Sequence, residues 1–213
     1  MLHRQQIFRM RRNVTQLGLV TAWGLALCTG FGVLFHYGFT PGESAAAPQA
    51  WPDRASVPVD PSRCTLLLFA HPRCPCTRAS LGELSRLMSH CEGRLRTYVI
   101  FLSPTKKAEW SETDLVQAAR AIRGVQLVFD EAGREARLFG AATSGQVLLY
   151  DPAGRLLFSG GITAARGHSG DNPGASAVLA LINHEPGTNV RTPVFGCALN
   201  ANASFSREHA SCQ

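Results

Sequence analysis

The sequence has no glycine-rich phosphate loop, no Gly-x-Ser-x-Gly elbow and no pair of histidines at metal-protease spacing. The usual sequence signs of nucleotide hydrolysis, serine hydrolysis and helix-borne zinc proteolysis are therefore missing. No internal repeat is present, which removes solenoids and propellers. Positive charge is also sparse where a nucleic acid would need it. The net charge is +6, but Arg4, Arg9, Arg11 and Arg12 precede the first apolar run, and about +2 remains without them. No nucleic-acid partner is expected.

Charge is absent altogether between Val14 and Phe35, a run long enough to cross a hydrocarbon core of roughly 30 Å as one helix. The arginines ahead of it hold residues 1–13 on the cytoplasmic side and send the rest of the chain across. Ala45-Ala46-Ala47 resembles a small-residue cleavage site, so a cleaved signal peptide is the rival reading. The apolar run exceeds the usual h-region of about 7–15 residues, which favours a retained single-pass anchor over residues 14–35. The expected location is the inner, cytoplasmic membrane, with the C-terminal domain in the periplasm or an equivalent extracytoplasmic space, where disulfides persist. Residues 36–61 hold much Pro, Ala, Ser and Gly and little periodicity, the composition of a flexible linker. A folded domain is expected over 62–186 and a cysteine-containing tail over 187–213.

Within the domain, an apolar run Cys64–Ala70, an amphipathic helix near Cys76–His90 and a strand near Arg96–Leu102 open a βαβ unit. A helix over Glu112–Arg123 and a strand over Val125–Phe129 follow. Strands Gln146–Tyr150 and Leu156–Ser159 flank the turn Asp151-Pro152-Ala153-Gly154, and a closing helix runs from Ala175 to Asn183.

The chain has seven cysteines. Two of them, in His71-Pro72-Arg73-Cys74-Pro75-Cys76, stand where a buried strand turns into a helix. Unpaired N–H groups and the helix dipole stabilise a thiolate there, and the thiolate is the nucleophile or metal ligand. A disulfide spanning one residue closes a very small ring and is easier to reduce than a relaxed one. Pro75 pre-positions both thiols in a first helical turn, and Arg73 adds a cation that favours thiolate. His71 either caps the turn or serves the site. The glycine-rich loop carrying His168 and Asp171 is long enough to fold over it, with Asp171 orienting the imidazole or Arg166 meeting an anion. The same thiols with His71 suit copper or zinc, so copper binding or delivery is the alternative to a cofactor-free redox role.

These residues resemble the thioredoxin-like superfamily, especially its membrane-tethered TlpA-type thiol-disulfide oxidoreductases and the small RedB-like group. The resemblance covers roughly Cys64–His184 and rests on the strand, then Cys74-Pro75-Cys76-Thr77-Arg78, then the helix. It implies an α/β thioredoxin-like fold behind an N-terminal transmembrane helix. It also implies thiol-disulfide exchange at Cys74 and Cys76 with exported thiol or disulfide proteins, recycled by a membrane electron donor. Two departures are plain: the spacing is Cys-x-Cys rather than Cys-x-x-Cys, and the stretch where the family carries a cis-proline reads Ala142-Thr143-Ser144-Gly145.

The remaining cysteines read differently. About 15 residues of helix at ~1.5 Å and about six strand steps at ~3.3 Å span similar lengths, so the end of the helix at Cys91 returns to Cys64. A structural Cys64–Cys91 disulfide is expected there. Cys197 and Cys212 either pair with each other, or Cys197 reaches the active pair as a resolving thiol. Cys28 is a packing residue in the apolar run.

Overall fold

The computed structural model describes residues 2–91, 93–103, 110–185 and 190–199. The chain divides into two compact units, Met1–Gly38 and Phe39–Gln213. The first is built from helix α1, Leu2–Phe39, whose stretch Asn13–Phe39 is long and apolar enough to cross a membrane. The helix outruns the expected end at Phe35. It stops just before Thr40, which precedes Pro41 and is therefore biased away from helical angles.

In the second unit, β1 (Cys64–Ala70), α2 (Thr77–His90) and β2 (Leu95–Ser103) form the opening βαβ. Helix α3 (Asp114–Arg120) leads into β3 (Val125–Glu131), and α4 (Arg134–Leu138) into the pair β4 (Gln146–Tyr150) and β5 (Leu156–Gly161). Helix α5 (Pro173–Ile182) closes the order. The sheet runs β3-β2-β1-β4-β5, with β1 parallel to β2, β2 parallel to β3, and β4 antiparallel to both of its neighbours.

Both faces of this sheet are covered, which is why its strands read as nearly continuous apolar runs. Alternate residues go to opposite sides. Leu66, Leu68, Val99, Phe101, Val147 and Leu149 meet Leu81, Leu84 and Leu87 of α2 together with residues of α3 and α5. On the other side Leu67, Phe69, Tyr98, Ile100, Leu148 and Tyr150 pack with Phe139 and with Ala47 and Val57.

Ala47 and Val57 lie in the stretch expected to be a flexible linker, and the structure corrects that expectation. Trp51 stands edge-on to Phe139 at 5.1 Å and to Tyr150 at 5.0 Å. The Trp51 backbone N–H donates to Gly154 O, and the Tyr150 hydroxyl donates to Pro48 O. The physical reason is area. The five-residue α4 alone leaves much of the second sheet face bare, and Trp51, Ala47 and Val57 help to cover it.

Helix α4 was not anticipated. Its first turn is held by Asp130, whose two carboxylate oxygens accept the N–H groups of Glu135 and Ala136 at 2.8 and 2.9 Å. Asn172 caps α5 in the same way, accepting the Ala175 N–H at 2.8 Å, with Pro173 at the first helical position. Asn172→Ala is expected to lower stability by about 1–2 kcal/mol, measured as a shift in urea midpoint at unchanged slope.

Candidate active site

Strand β1 ends at Ala70, and the chain crosses from there to α2 in one tight turn. The N–H of Cys74 donates to His71 O at 3.1 Å, and the N–H of Thr77 donates to Cys74 O at 3.0 Å. Cys76 is the N-cap residue of α2, which places both sulfurs at the positive end of that helix. The turn is also tied from the side. Ser144, just ahead of β4, accepts the His71 N–H at 2.9 Å, and its hydroxyl meets that of Thr77 at 2.9 Å.

Cys74 and Cys76 are both buried, at 1% and 8% exposure. A third thiol lies beside them. Residues 190–199 return along the end of the sheet, where Ser144 N–H donates to Cys197 O at 2.8 Å and Leu199 N–H donates to Ala142 O at 2.8 Å. Thr143 and Ala198 thereby form an antiparallel bridge. The Cys197 side chain lies close enough to Cys74 and Cys76 to perturb both thiols.

The electrostatics of the trio single out one sulfur. Hydrogen bonds from the Cys197 thiol, then from the Cys76 thiol, hold Cys74 well below the usual thiol range. The backbone N–H groups of Cys197 and Cys76 add to this, and together they outweigh the opposing effect of burial. For Cys76 the bond with Cys197 acts to lower the pKa, but the bond with Cys74 and burial raise it, and the net direction is upward. Cys197 is raised by its bonds to Cys74 and then Cys76, and by burial. Of the three thiols, Cys74 is the one held toward the thiolate, while Cys76 and Cys197 are held toward the protonated form.

The expected supporting residues sort differently. Arg73 lies over the Trp110 ring at 4.2 Å, and the cation that favours thiolate at Cys76 is Arg166. Arg166 also donates to Gly196 O in the returning tail. His71 Nδ1 accepts the Arg73 N–H at 3.1 Å, and its ring stands edge-on to Trp110 at 6.0 Å, so it braces the turn. Pro75 sits exposed in the turn, its carbonyl accepting the Arg78 N–H at 3.3 Å.

His168 is exposed with Nδ1 toward Arg166 O at 3.3 Å, and Asp171 is also exposed. Their loop is fixed instead by the buried Glu83, which accepts from Gly170 N–H at 2.7 Å and from the Asn172 amide at 3.5 Å. Among the described residues no group of three or more His, Cys, Asp or Glu is arranged to hold a metal ion. Cys64 and Cys91 do reach one hydrophobic cluster, but as free thiols rather than as the expected disulfide. Burial raises both, which disfavours the thiolate that exchange would require. Cys212 lies outside the described residues.

Ser144 and Gly196 were not singled out from the sequence as parts of the site, and Arg166 was expected to meet an anion rather than to stand beside Cys76. A signal existed in Gly160-Gly161 and Gly196. A β-carbon on Gly161 would stand 2.6 Å from Pro193 O, and one on Gly196 would collide with Ser144 O. Glycines at these positions allow the tail backbone to approach closely.

No protein-family model and no curated protein matches the sequence. Among solved structures the chain is similar to a hypothetical protein from Sinorhizobium meliloti 1021, at 21% identity over 75% of this chain and 98% of that one, with a TM-score of 0.57. It is also similar to an uncharacterized conserved protein from Geobacillus kaustophilus, at 19% identity, 76% and 92% coverage, and a TM-score of 0.54. An exposed lipoprotein thioredoxin from Streptococcus pneumoniae aligns at 17% identity, 65% and 99% coverage, and a TM-score of 0.44. The βαβ opening, the β4–β5 hairpin and the closing helix are in the expected order. The fold is thioredoxin-like. In this thioredoxin-like frame Ser144 occupies the stretch where the resemblance leads one to look for a cis-proline, and it is this serine that pairs with Cys197.

Proposed function

We propose that the chain is a membrane-anchored, extracytoplasmic thiol-disulfide oxidoreductase of the TlpA-type or RedB-like kind, with Cys74 as nucleophile. The observation that carries this reading is the placement of Cys74 and Cys76, both buried, in the turn that starts α2, with Cys74 held toward the thiolate. The Cys74 thiolate attacks one sulfur of a disulfide in an exported protein. A Cys74–substrate disulfide forms, and the second substrate sulfur leaves as thiolate and takes a proton from water. A second thiol of the site, Cys76 in the simplest case, then attacks Cys74 Sγ and releases the first substrate sulfur. One substrate disulfide becomes two thiols, and two protein thiols become a disulfide. A membrane electron donor returns the site to the dithiol, and with the opposite poise the same steps run backwards to oxidise exported proteins.

Helix α1 supports the anchoring part of the proposal by its length and apolar composition. The test is equilibration of the full chain in detergent with graded glutathione buffers, followed by alkylation and mass mapping. A reversible two-electron couple involving Cys74 is expected, with a midpoint within the glutathione range, roughly −180 to −320 mV across compartments. Cys74 remaining free in every buffer would refute the proposal.

A further inference from the structure

The tail is not needed to complete the sheet, yet it is fitted to the site with unusual care. Three glycines make room for it: Gly160 against Thr192, Gly161 against Pro193 and Val194, and Gly196 against Ser144. Hydrogen bonds then hold it at several points. Gly161 N–H donates to Pro193 O at 3.2 Å, the Thr192 hydroxyl donates to Gly161 O at 2.8 Å, and the Ser144 and Leu199 bonds follow. Ala142–Ser144 thus receives an extended segment by main-chain pairing, the way a sheet edge accepts a peptide strand. The residue this pairing presents to the reactive turn is a cysteine.

We propose that residues 191–199 are a peptide ligand built into the chain, occupying the groove in which an extended, cysteine-bearing segment of a client protein binds, and that Cys197 is the thiol that forms the first internal disulfide with Cys74. The inference rests on the reading of Cys74 as nucleophile. Once Cys74 carries a client sulfur, the Cys197 thiol gives up its proton to water and attacks Cys74 Sγ. The Cys74–Cys197 bond forms, the Cys74–client bond breaks, and the client leaves as thiolate. The exported disulfide is the oxidant, reduced by two electrons.

Cys197 is better placed for this than Cys76. Cys74 and Cys76 are separated only by Pro75, which stiffens the link between them. Their disulfide demands a distorted small ring. Cys197 arrives on a separate segment free of that constraint. With the tail docked Cys74 is buried, so the tail and an incoming client strand compete for the same groove.

The test treats the full chain in detergent with oxidised glutathione, quenches with acid and alkylating reagent, and maps tryptic peptides by mass spectrometry. The variants are Cys76→Ser, Cys197→Ser and Gly196→Val. In Cys76→Ser, the peptide carrying Cys74 is expected to be joined to the peptide carrying Cys197. Cys197→Ser is expected to accumulate glutathione on Cys74. In Gly196→Val, whose side chain drives the tail off Ser144, the ratio of Cys74–Cys197 product to glutathionylated Cys74 is expected to fall about tenfold or more. Far-ultraviolet circular dichroism checks that each variant is folded. If Cys76→Ser yields only glutathionylated Cys74 with Cys197 free, the built-in ligand is overturned while the exchange reading stands. If Cys74 reacts in none of the proteins, both are overturned.

Discussion

Replacing Cys74 by serine is expected to reduce the rate of reaction with a disulfide substrate on the order of a thousandfold or more, because a hydroxyl at that position supplies no thiolate. Rapid mixing with oxidised glutathione checks this directly. The effect has a pH signature whose sign follows from the hydrogen bonds. Cys74 is held below the ordinary thiol value, so its thiolate persists as pH falls through and below ~8.5. Cys76 and Cys197 are raised and stay protonated through the same window. The ultraviolet thiolate absorbance of the wild type should therefore show one thiolate retained well below the ordinary range, and Cys74→Ser should lose it. Cys197→Ala should move that transition upward, since the largest single interaction favouring the Cys74 anion is then removed without leaving another donor in its place. A wild-type titration confined to the ordinary thiol range would contradict this account.

The largest effect on stability is expected from Phe139→Ala. Phe139 is fully buried and stands between Phe69, Tyr150 and Trp51. Truncating it costs about 3–5 kcal/mol in transfer and cavity energy, a third or more of a typical domain stability of ~5–15 kcal/mol. Trp51→Ala should cost less, because Trp51 remains partly exposed. The two losses should not add, since the rings are in direct contact, and a coupling of about 0.5–1.5 kcal/mol is expected from urea unfolding of the double variant. Strict additivity would mean that Trp51 is not docked on the sheet.

The strands were legible in the sequence because a sheet buried on both faces writes itself as uninterrupted apolar runs, Leu66 to Ala70 and Tyr98 to Leu102 among them. Helix α4 was not, because five residues carry too little periodicity and its start depends on the side chain of Asp130. The stretch 36–61 was misread for a related reason. Its composition is that of a tether, and only the bare second face of the sheet gives Trp51, Ala47 and Val57 something to cover.

At the site, the spacing of Cys74 and Cys76 and their place between a strand and a helix could be read directly. Arg73 looked like the relevant cation because it is adjacent in sequence, whereas Arg166 is adjacent in space. The role of Cys197 depended on backbone pairing between Ser144 and a segment far along the chain, and sequence spacing does not reveal pairing of that kind.

Disulfide chemistry removes thiols two at a time, and the site holds three. Any bond made within the trio leaves one sulfur over, whichever two have joined. In the reduced structure that sulfur already stands beside the other two. Internal oxidation can therefore never exhaust the site, and each of its oxidised forms retains the means of its own rearrangement.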